Sequence, residues 1–541
     1  MLSGPKQPTE EIWMNRILVI GEILLRWGVI FVPITCIAGI FLMTADTDET
    51  WILFGARGLV EHGRYAAGSP YNSVQSTGGL HTVFAALLHL AGDGRIEAIR
   101  LLSVFSVVSL LLVLRRWALY LGLKNTYIWL LMAAPLWAPG TLLLGSLAHG
   151  AVLAFLLVII GLILWGELEP GSWKRRIWTC VLLGTAAATR VDCVFALFAP
   201  LAASTLISGK RTHLADSAII VVFGGLVFLF QFWLLLFISD NLQLVKEVYG
   251  IASPLNISLG YWIPLRLAFW SIGQNSMSFV LAVLVSLGWR HVRSGVNRPY
   301  GVDALLVFGW LAMLAWLLQA PIPHLRYLWP SYAAFACVGT LTLALMLQSI
   351  AHSTVSAILI GIALLFTGYM DGARAFMHGE SDILSWEFNR RTPYSLQYGP
   401  FRHHQFQRAI VSRIHEIPLD EPIATIGFNS ALSFLTRRPI VPIQVYYADE
   451  KEMKNSVFWR PPTVIPPVRP RWIVITPIVN RFPNSYMSHQ LYNWIQANCR
   501  VAERQGPYVL YEVLGTFPAK PDSLSLDMFG QGLPLLDLKL D

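Results

Sequence analysis

Asp46, Asp48 and Glu49 stand together in the stretch TADTDETWILFGARGLVEHGR at residues 44–64, directly after the first long apolar run. A hydroxyl is a poor nucleophile at neutral pH, and a carboxylate that accepts its proton lowers the barrier to attack. The same groups can also ligate a metal ion. One acidic residue at this place is accounted for by helix capping and dipole complementarity. A cluster is not. Asp46 and Asp48 are two apart, so on a helix they diverge and can divide proton acceptance from substrate positioning.

A second set of residues suits an anion. Arg190 interrupts an apolar stretch with Asp192 beside it, and charges inside membrane segments mark sites more often than not. A purely structural Arg190–Asp192 pair is the alternative. Lys246, His324 and Arg326 are further cations. A guanidinium fork can hold two phosphate oxygens at once and can stabilise the charge that builds as a bond to phosphate breaks. Against this, Arg326 beside Tyr327 and Trp329 also reads as an interfacial anchor, and Lys246 as a solvated loop lysine. His81, His89 and His149 read as amphipathic interfacial side chains. His403 and His404 read as surface.

Those residues need a scaffold, and the composition names its kind. Of the 541 residues, 55% are hydrophobic and 13% charged, against about 25% charged in globular domains. Repeated apolar runs approach the roughly 20 residues that a spanning helix needs. The chain reads as a polytopic helical membrane protein. Its net charge of +8 then reflects cytoplasmic loops rich in Lys and Arg rather than nucleic-acid binding, for which no basic helix or aromatic RNA motif is present. Cys36, Cys180, Cys193, Cys337 and Cys499 show neither metal spacing nor a disulfide framework.

The charges order the spans. A first span at 17–43 leads into a loop at 44–97 that contains an interfacial helix near 82–90, too short to cross. The next span, 101–114, ends at Arg115, Arg116 and Lys124, which mark the cytoplasmic side. Hairpins follow at 126–139 with 149–166 and at 177–190 with 193–208. A run at 217–238 goes out, a polar loop covers 239–262, and 264–289 returns. A last hairpin at 303–320 with 327–348 and a final span at 352–370 give about eleven spans. This alternation puts the loop 44–97, Arg190, Lys246, His324 and Arg326 on one non-cytoplasmic face. The membrane domain is 1–370. The remainder, 371–541, reads as a small extracytoplasmic α/β domain, with β-type runs at 423–427, 472–476 and 508–513. An amphipathic helix at 404–415 carries Ile410, Val411 and Ile414 on one face.

The stretch DTDETWILFGARGLVEHG resembles the first-loop signature of GT-C superfamily glycosyltransferases, with Ala56, Arg57, Leu59, Glu61 and Gly63 in register. Asp48 falls on the second acidic position, and Thr47 replaces the first. Asp46 recovers that role with a one-residue shift, and Asp48-Glu49 is also similar to the Asp-Glu pair of protein O-mannosyltransferases. Further matches follow in order: Ser76–Thr82 at the interfacial helix, Arg100 at the head of the next span, and Ala188-Thr189-Arg190-Val191-Asp192. Tyr249-Gly250 with Pro254-Leu255-Asn256 and Arg326-Tyr327-Leu328-Trp329-Pro330 complete the series, with 423–439 resembling the opening of the family's soluble domain.

The resemblance implies a mainly α, GT-C-like membrane protein that transfers a sugar, with inversion, from a polyprenyl-phosphate donor to a hydroxyl of a glycan, lipid or protein. The reaction would take place on the periplasmic face of a bacterial inner membrane. It implies Asp48 as general base with Asp46 in reserve. Glu49, Arg57, Arg190, Asp192, Lys246, Tyr249, His324 and Arg326 would lie around the substrate. A divalent cation is left open. The pattern is nearest to the arabinofuranosyl- and mannosyl-transferring branches. The alternatives are a transporter or lipid flippase, and a GT-C-fold binding subunit without activity.

Overall fold

The computed structural model describes residues 8–42, 47–63, 79–138, 140–208, 211–238, 276–297, 299–319, 325–350, 353–378, 400–426, 430–438, 440–444, 470–475 and 489–515. Helix α1 (Pro8–Leu42) carries the first apolar run, and α2 (Thr47–His62) follows it closely. Helix α3 (Gly79–Ala91) has 13 residues and so reaches about 20 Å, short of a ~30 Å hydrocarbon core. It falls where the sequence leads one to expect a short helix, near 82–90. The bundle continues with α4 (Ile96–Tyr120), α5 (Asn125–Met132), α6 (Thr141–Leu144), α7 (Ala151–Glu167), α8 (Trp173–Thr189) and α9 (Phe195–Ala203). Helices α10 (Arg211–Ile219) and α11 (Gly225–Ile238) are joined by a π turn. Then come α12 (Ser276–Val292), α13 (Tyr300–Gln319), α14 (Leu325–Gln348) and α15 (Thr354–His378).

Five segments among the described residues are long and apolar enough to cross a membrane: Leu18–Leu42, Ile96–Tyr120, His213–Gln231, Leu328–Gln348 and Thr354–Ala373. Shorter apolar helices include Ala151–Glu167 and Tyr300–Ala315. The continuous span expected at 126–139 is instead broken. Pro135 has no N–H to give, a 3-10 turn at Ala134–Trp137 replaces the helix, and Gly140 turns the chain at φ +79° before α6. This break is tolerated because the segment is buried in protein. Helix α15 also runs to His378, past the boundary expected at 370.

Tight packing sets the bundle. A Cβ on Gly166 would lie 2.2 Å from the backbone nitrogen of Gly301, so α7 and α13 meet backbone to backbone. Gln348, at the end of α14, donates to the Gly122 carbonyl and accepts from the Lys124 amide, each at 3.0 Å. The basic turns gather at this end. Asp216 accepts from Arg176 at 2.8 Å and from the Gly171 amide at 2.7 Å, and Asp303 accepts from Arg293 and Trp289.

The C-terminal lobe is a mixed sheet with helices. Helix α16 (Pro400–His415) lays Ile410 and Ile414, both fully buried, on β1 (Ile423–Ile426) and its neighbours. Helix α17 (Ser430–Thr436) crosses to β2 (Ile440–Gln444). After β3 (Trp472–Ile475), helix α18 (His489–Asn498) leads into the hairpin β4 (Cys499–Gln505) and β5 (Tyr508–Val513). The strand order is β2-β1-β3-β5-β4. Strand β1 is parallel to β2 and β3, with Ile423 opposite Ile440 and Trp472. Strand β5 is antiparallel to β3 and β4.

Candidate functional site

The first turn of α2 holds Asp48 and Glu49, and Glu49 fixes where that turn sits. Its carboxylate is fully buried. Arg100, at the start of the second turn of α4, donates through Nε to Oε1 and through Nη2 to Oε2, both at 2.7 Å. The Ala148 amide donates to Oε1 at 2.6 Å, while Arg100 Nη1 donates to the Ile40 carbonyl at 2.7 Å. One ion pair therefore ties the end of α1, the start of α2, the start of α4 and the turn before α7. Ser103, one turn further along α4, donates to the Leu147 carbonyl at 2.6 Å and holds the same turn.

That turn ends in His149, and there a polar wall begins. Arg190 caps α8 in extended conformation, and the 3-10 turn Val191–Val194 carries Asp192 back beside it. Arg190 donates through Nη2 to Asp192 Oδ2 at 2.8 Å and through Nε to both carboxylate oxygens at 3.1 Å. Its Nη1 lies 3.2 Å from His149 Nδ1. A guanidinium can only donate, so His149 accepts through Nδ1 and carries its ring proton on Nε2. His81, in the first turn of α3, completes the wall: a Cβ at Gly150 would sit 3.1 Å from Thr189 Cγ2 and 3.5 Å from the His81 ring. Burial, with help from His149 and Arg190, pushes the His81 imidazole down to about 3, so it is neutral at physiological pH. Among the described residues its Nε2 and the hydroxyl of Thr82 are buried without a hydrogen-bond partner.

Arg57 sits elsewhere. It is nine residues beyond Asp48, about 13 Å along the axis of α2. Its Nη2 donates to the Phe434 carbonyl at 2.8 Å, and its guanidinium lies 3.8 Å from the centroid of the Phe434 ring. Burial lowers the Arg57 pKa to about 10; Glu61 opposes that shift and Arg437 adds to it. Arg57 is thus still charged at neutral pH, and it joins α2 to the C-terminal lobe.

Arg326 falls in the first turn of α14. One turn on, Trp329 donates to Thr141 Oγ1 at 3.0 Å and meets Phe155 edge to face at 5.6 Å. Phe155 is in the second turn of α7, just past His149 and Gly150. The start of α14 therefore lies at the same end of the bundle as the polar wall, opposite the basic turns. Asp46, Lys246, Tyr249 and His324 lie outside the described residues. The helical placement of Asp48 and Arg326 is described, but their side chains are not. Among the described residues no three His, Cys, Asp or Glu side chains gather as a metal site.

Reading the sequence alone missed His81 and His149 as members of this wall, and saw Arg100 only as a family match. Single histidines at helix starts carry no local signal. Their grouping arises from contacts between positions 81, 149 and 190.

Compared with known proteins, no family model matches the chain, and no curated protein matches it. Solved structures do. ArnT from Cupriavidus metallidurans bound to undecaprenyl phosphate matches with a TM-score of 0.55 at 14% identity, over 90% of this chain and 97% of that one. The apo state of the same protein gives 0.52 at 15% identity, again over 90% and 97%. The archaeal oligosaccharyltransferase AglB from Archaeoglobus fulgidus, in complex with an inhibitory peptide and a dolichol-phosphate, gives 0.46 at 10% identity, over 84% and 70%. The two ArnT matches show that this chain shares the fold of ArnT.

Proposed function

We propose that this chain is an integral-membrane glycosyltransferase that moves a sugar from a polyprenyl-phosphate donor to an acceptor hydroxyl on the periplasmic face. The observation that carries the reading is the buried clamp on Glu49. It ties the first turn of α2, which carries Asp48, to the turn that leads into His149, and so supports a site shared with His81, His149, Arg190 and Asp192. The fold adds the donor class, since a solved protein of the same fold holds undecaprenyl phosphate.

In this reading the Asp48 carboxylate takes the proton of the acceptor hydroxyl. The acceptor oxygen attacks the anomeric carbon as the bond from that carbon to the phosphate oxygen breaks. The polyprenyl phosphate leaves with the bonding pair, and the configuration inverts. Arg326 holds the leaving phosphate, joined by Lys246 and His324. Arg190 is engaged by Asp192 and His149, so its part is to keep the wall charged and rigid. Glu49 positions Asp48 rather than touching substrate. Tyr249 lines the donor side, and Asp46 stands in reserve as base.

The test is transfer from a radiolabelled polyprenyl-phosphate sugar. Asp48→Asn should lose about 10²- to 10⁴-fold in rate, the usual weight of a positioned general base, while still binding the donor. Full activity in Asp48→Asn and in Asp46→Asn would end the catalytic assignment. No transfer by the wild type from any polyprenyl-phosphate donor would end the enzyme reading.

A further inference from the structure

Where the C-terminal lobe meets the loop helices, a cleft of about 470 Å³ opens between the start of α4, helix α16 and the end of α17. Arginines dominate it: Arg57, Arg95, Arg100, Arg408 and Arg437 line it, with His404 and His415, against the single carboxylate of Glu97. Two of these cations are committed, Arg100 to Glu49 and Arg57 to Phe434. Three are held loosely. The Arg408 side chain is 66% exposed and 3.7 Å from Glu97. Arg437 is exposed and donates to the Asp93 carbonyl at 3.2 Å, and Arg95 is exposed. Besides these, Arg57 Nε is buried on the cleft lining without a hydrogen bond among the described residues, its nearest carboxylate oxygen being Glu61 at 3.9 Å.

The backbone that presents these groups is unusual. Asp93 and Gly94 are left-handed at φ 52° and 75°, and across the cleft Arg437 is left-handed at φ 53°. A Cβ on Gly94 would lie 2.4 Å from Arg437 Nη2, so the guanidinium rests directly on the glycine. Non-glycine residues adopt this conformation rarely, and where they do the surroundings hold them there.

The basic cleft has an apolar continuation. A second cavity of about 430 Å³ shares Arg95 and Glu97 with it, has Asp93 on its polar rim, and is walled by Phe41, Ala91, Ala98 and Leu101. Phe41 and Leu42, at the end of spanning helix α1, are 54% and 45% exposed, and Arg95 immediately precedes spanning helix α4. Charged groups thus sit at the membrane boundary over an apolar wall that faces the bilayer.

We propose that this double cleft binds an anionic phospholipid. Its phosphate would sit among Arg95, Arg408 and Arg437, whose forks suit phosphate oxygens, and its hydrocarbon would lie against Phe41 and Leu101. The apolar wall favours a lipid over a free anion, and basic pockets beside membrane helices are general headgroup sites. The site uses neither Asp48 nor Arg326, so it holds or fails independently of the sugar-transfer reading.

The test uses the full chain in nanodiscs of phosphatidylcholine with one-fifth phosphatidylglycerol, followed by detergent extraction and native mass spectrometry. Wild type should retain phosphatidylglycerol at least tenfold above its share. Arg95→Gln/Arg408→Gln/Arg437→Gln should lose that enrichment while melting as wild type does. Phe41→Ser/Leu101→Ser should also lose it, and inorganic phosphate at lipid-equivalent concentration should not displace the lipid. Equal retention in the arginine variant overturns the site. Ready displacement by inorganic phosphate, or unchanged retention in Phe41→Ser/Leu101→Ser, overturns its assignment to a lipid. Should the triple variant fail to fold, the single exposed-residue change Arg408→Gln must still weaken retention severalfold, and its failure to do so also overturns the proposal.

Discussion

The buried clamp between Glu49 and Arg100 makes the sharpest prediction. In Glu49→Gln the shape is kept and the charge removed. Three N–H donors now converge on that carboxylate at 2.6–2.7 Å, two from Arg100 and one from Ala148. The amide that replaces it offers one oxygen and sets an NH₂ against a donor. Both partners are at most 1% exposed, so the arginine is left charged, buried and badly paired. Removing one partner of such a pair costs about 3–5 kcal/mol, or about 10²- to 10⁴-fold in the folding equilibrium. Unfolding titrations in mixed SDS micelles should register this loss. The double variant Glu49→Gln/Arg100→Met should recover more than about 1 kcal/mol, because the uncompensated charge is gone. Sugar transfer should not recover with it. The Ile40 anchor goes with Arg100 and the tie from α2 to α4 is gone as well, and a 1 Å displacement of a reacting group costs about 10²-fold. Wild-type stability in Glu49→Gln would refute the clamp. Recovery of transfer alongside stability in the double variant would refute its role in placing Asp48.

Two further outcomes follow from the same contacts. Phe434, 2% exposed, fills a hole between α2 and α3 against Phe54 at 5.5 Å; Phe434→Ala should cost about 3–5 kcal/mol and release the C-terminal lobe to limited proteolysis, and protease resistance equal to wild type would contradict this docking. His81 is pushed down to about 3 in the fold against roughly 6.5 when unfolded. The unfolded chain therefore binds more protons between those values, and stability must fall as pH drops through that window. His81→Gln should flatten this part of the pH–stability curve, and an unchanged slope would show that His81 is not held neutral.

Much of this architecture was legible in the sequence because its signals are local. Apolar run length marked α1, α4, α14 and α15, and the short run at 82–90 marked α3. The face formed by Ile410 and Ile414 marked α16, and β-rich runs marked β1, β3 and β5. Strand β4 was not foreseen, and the strand-helix-strand resemblance at 423–439 stopped just short of β2. Pro442 stands within β2, and β4 reads CRVAERQ, half of it polar, because it is an edge strand paired only with β5. The span expected at 126–139 failed because hydropathy does not register the backbone break at Pro135 and Gly140. At the site, the cluster at 46–49 drew attention by charge density alone, but density could not sort the carboxylates. What sets Glu49 apart is Arg100, 51 positions away, and the Ala148 amide, both of which donate to it in the fold. Arg57 stands at the lobe junction, a placement set by Phe434, which is 377 positions away in sequence.

That junction bears on what the C-terminal lobe does. A lobe merely tethered to the bundle would meet it through polar, exchangeable contacts. Here a buried aromatic ring is seated between Phe54 and the Arg57 guanidinium, His89 tilts against the same ring at 6.4 Å, and Arg437 reaches the Asp93 carbonyl. The groups it grips belong to α2 and to the turn between α3 and α4. Helix α2, which carries Asp48 in its first turn, is therefore held at two points, by Glu49 on Arg100 at its first turn and by Arg57 on Phe434 two turns on. A rigid helix held at two points carries a displacement of one end to the other, since its backbone hydrogen bonds resist local change. Occupancy of the basic cleft, which shares Arg57 and Arg437 with this junction, would then bear on α2 directly. The chemistry proposed for Asp48 and the binding proposed for Arg95, Arg408 and Arg437 are separate sites, linked through the contact of Arg57 on α2 with Phe434.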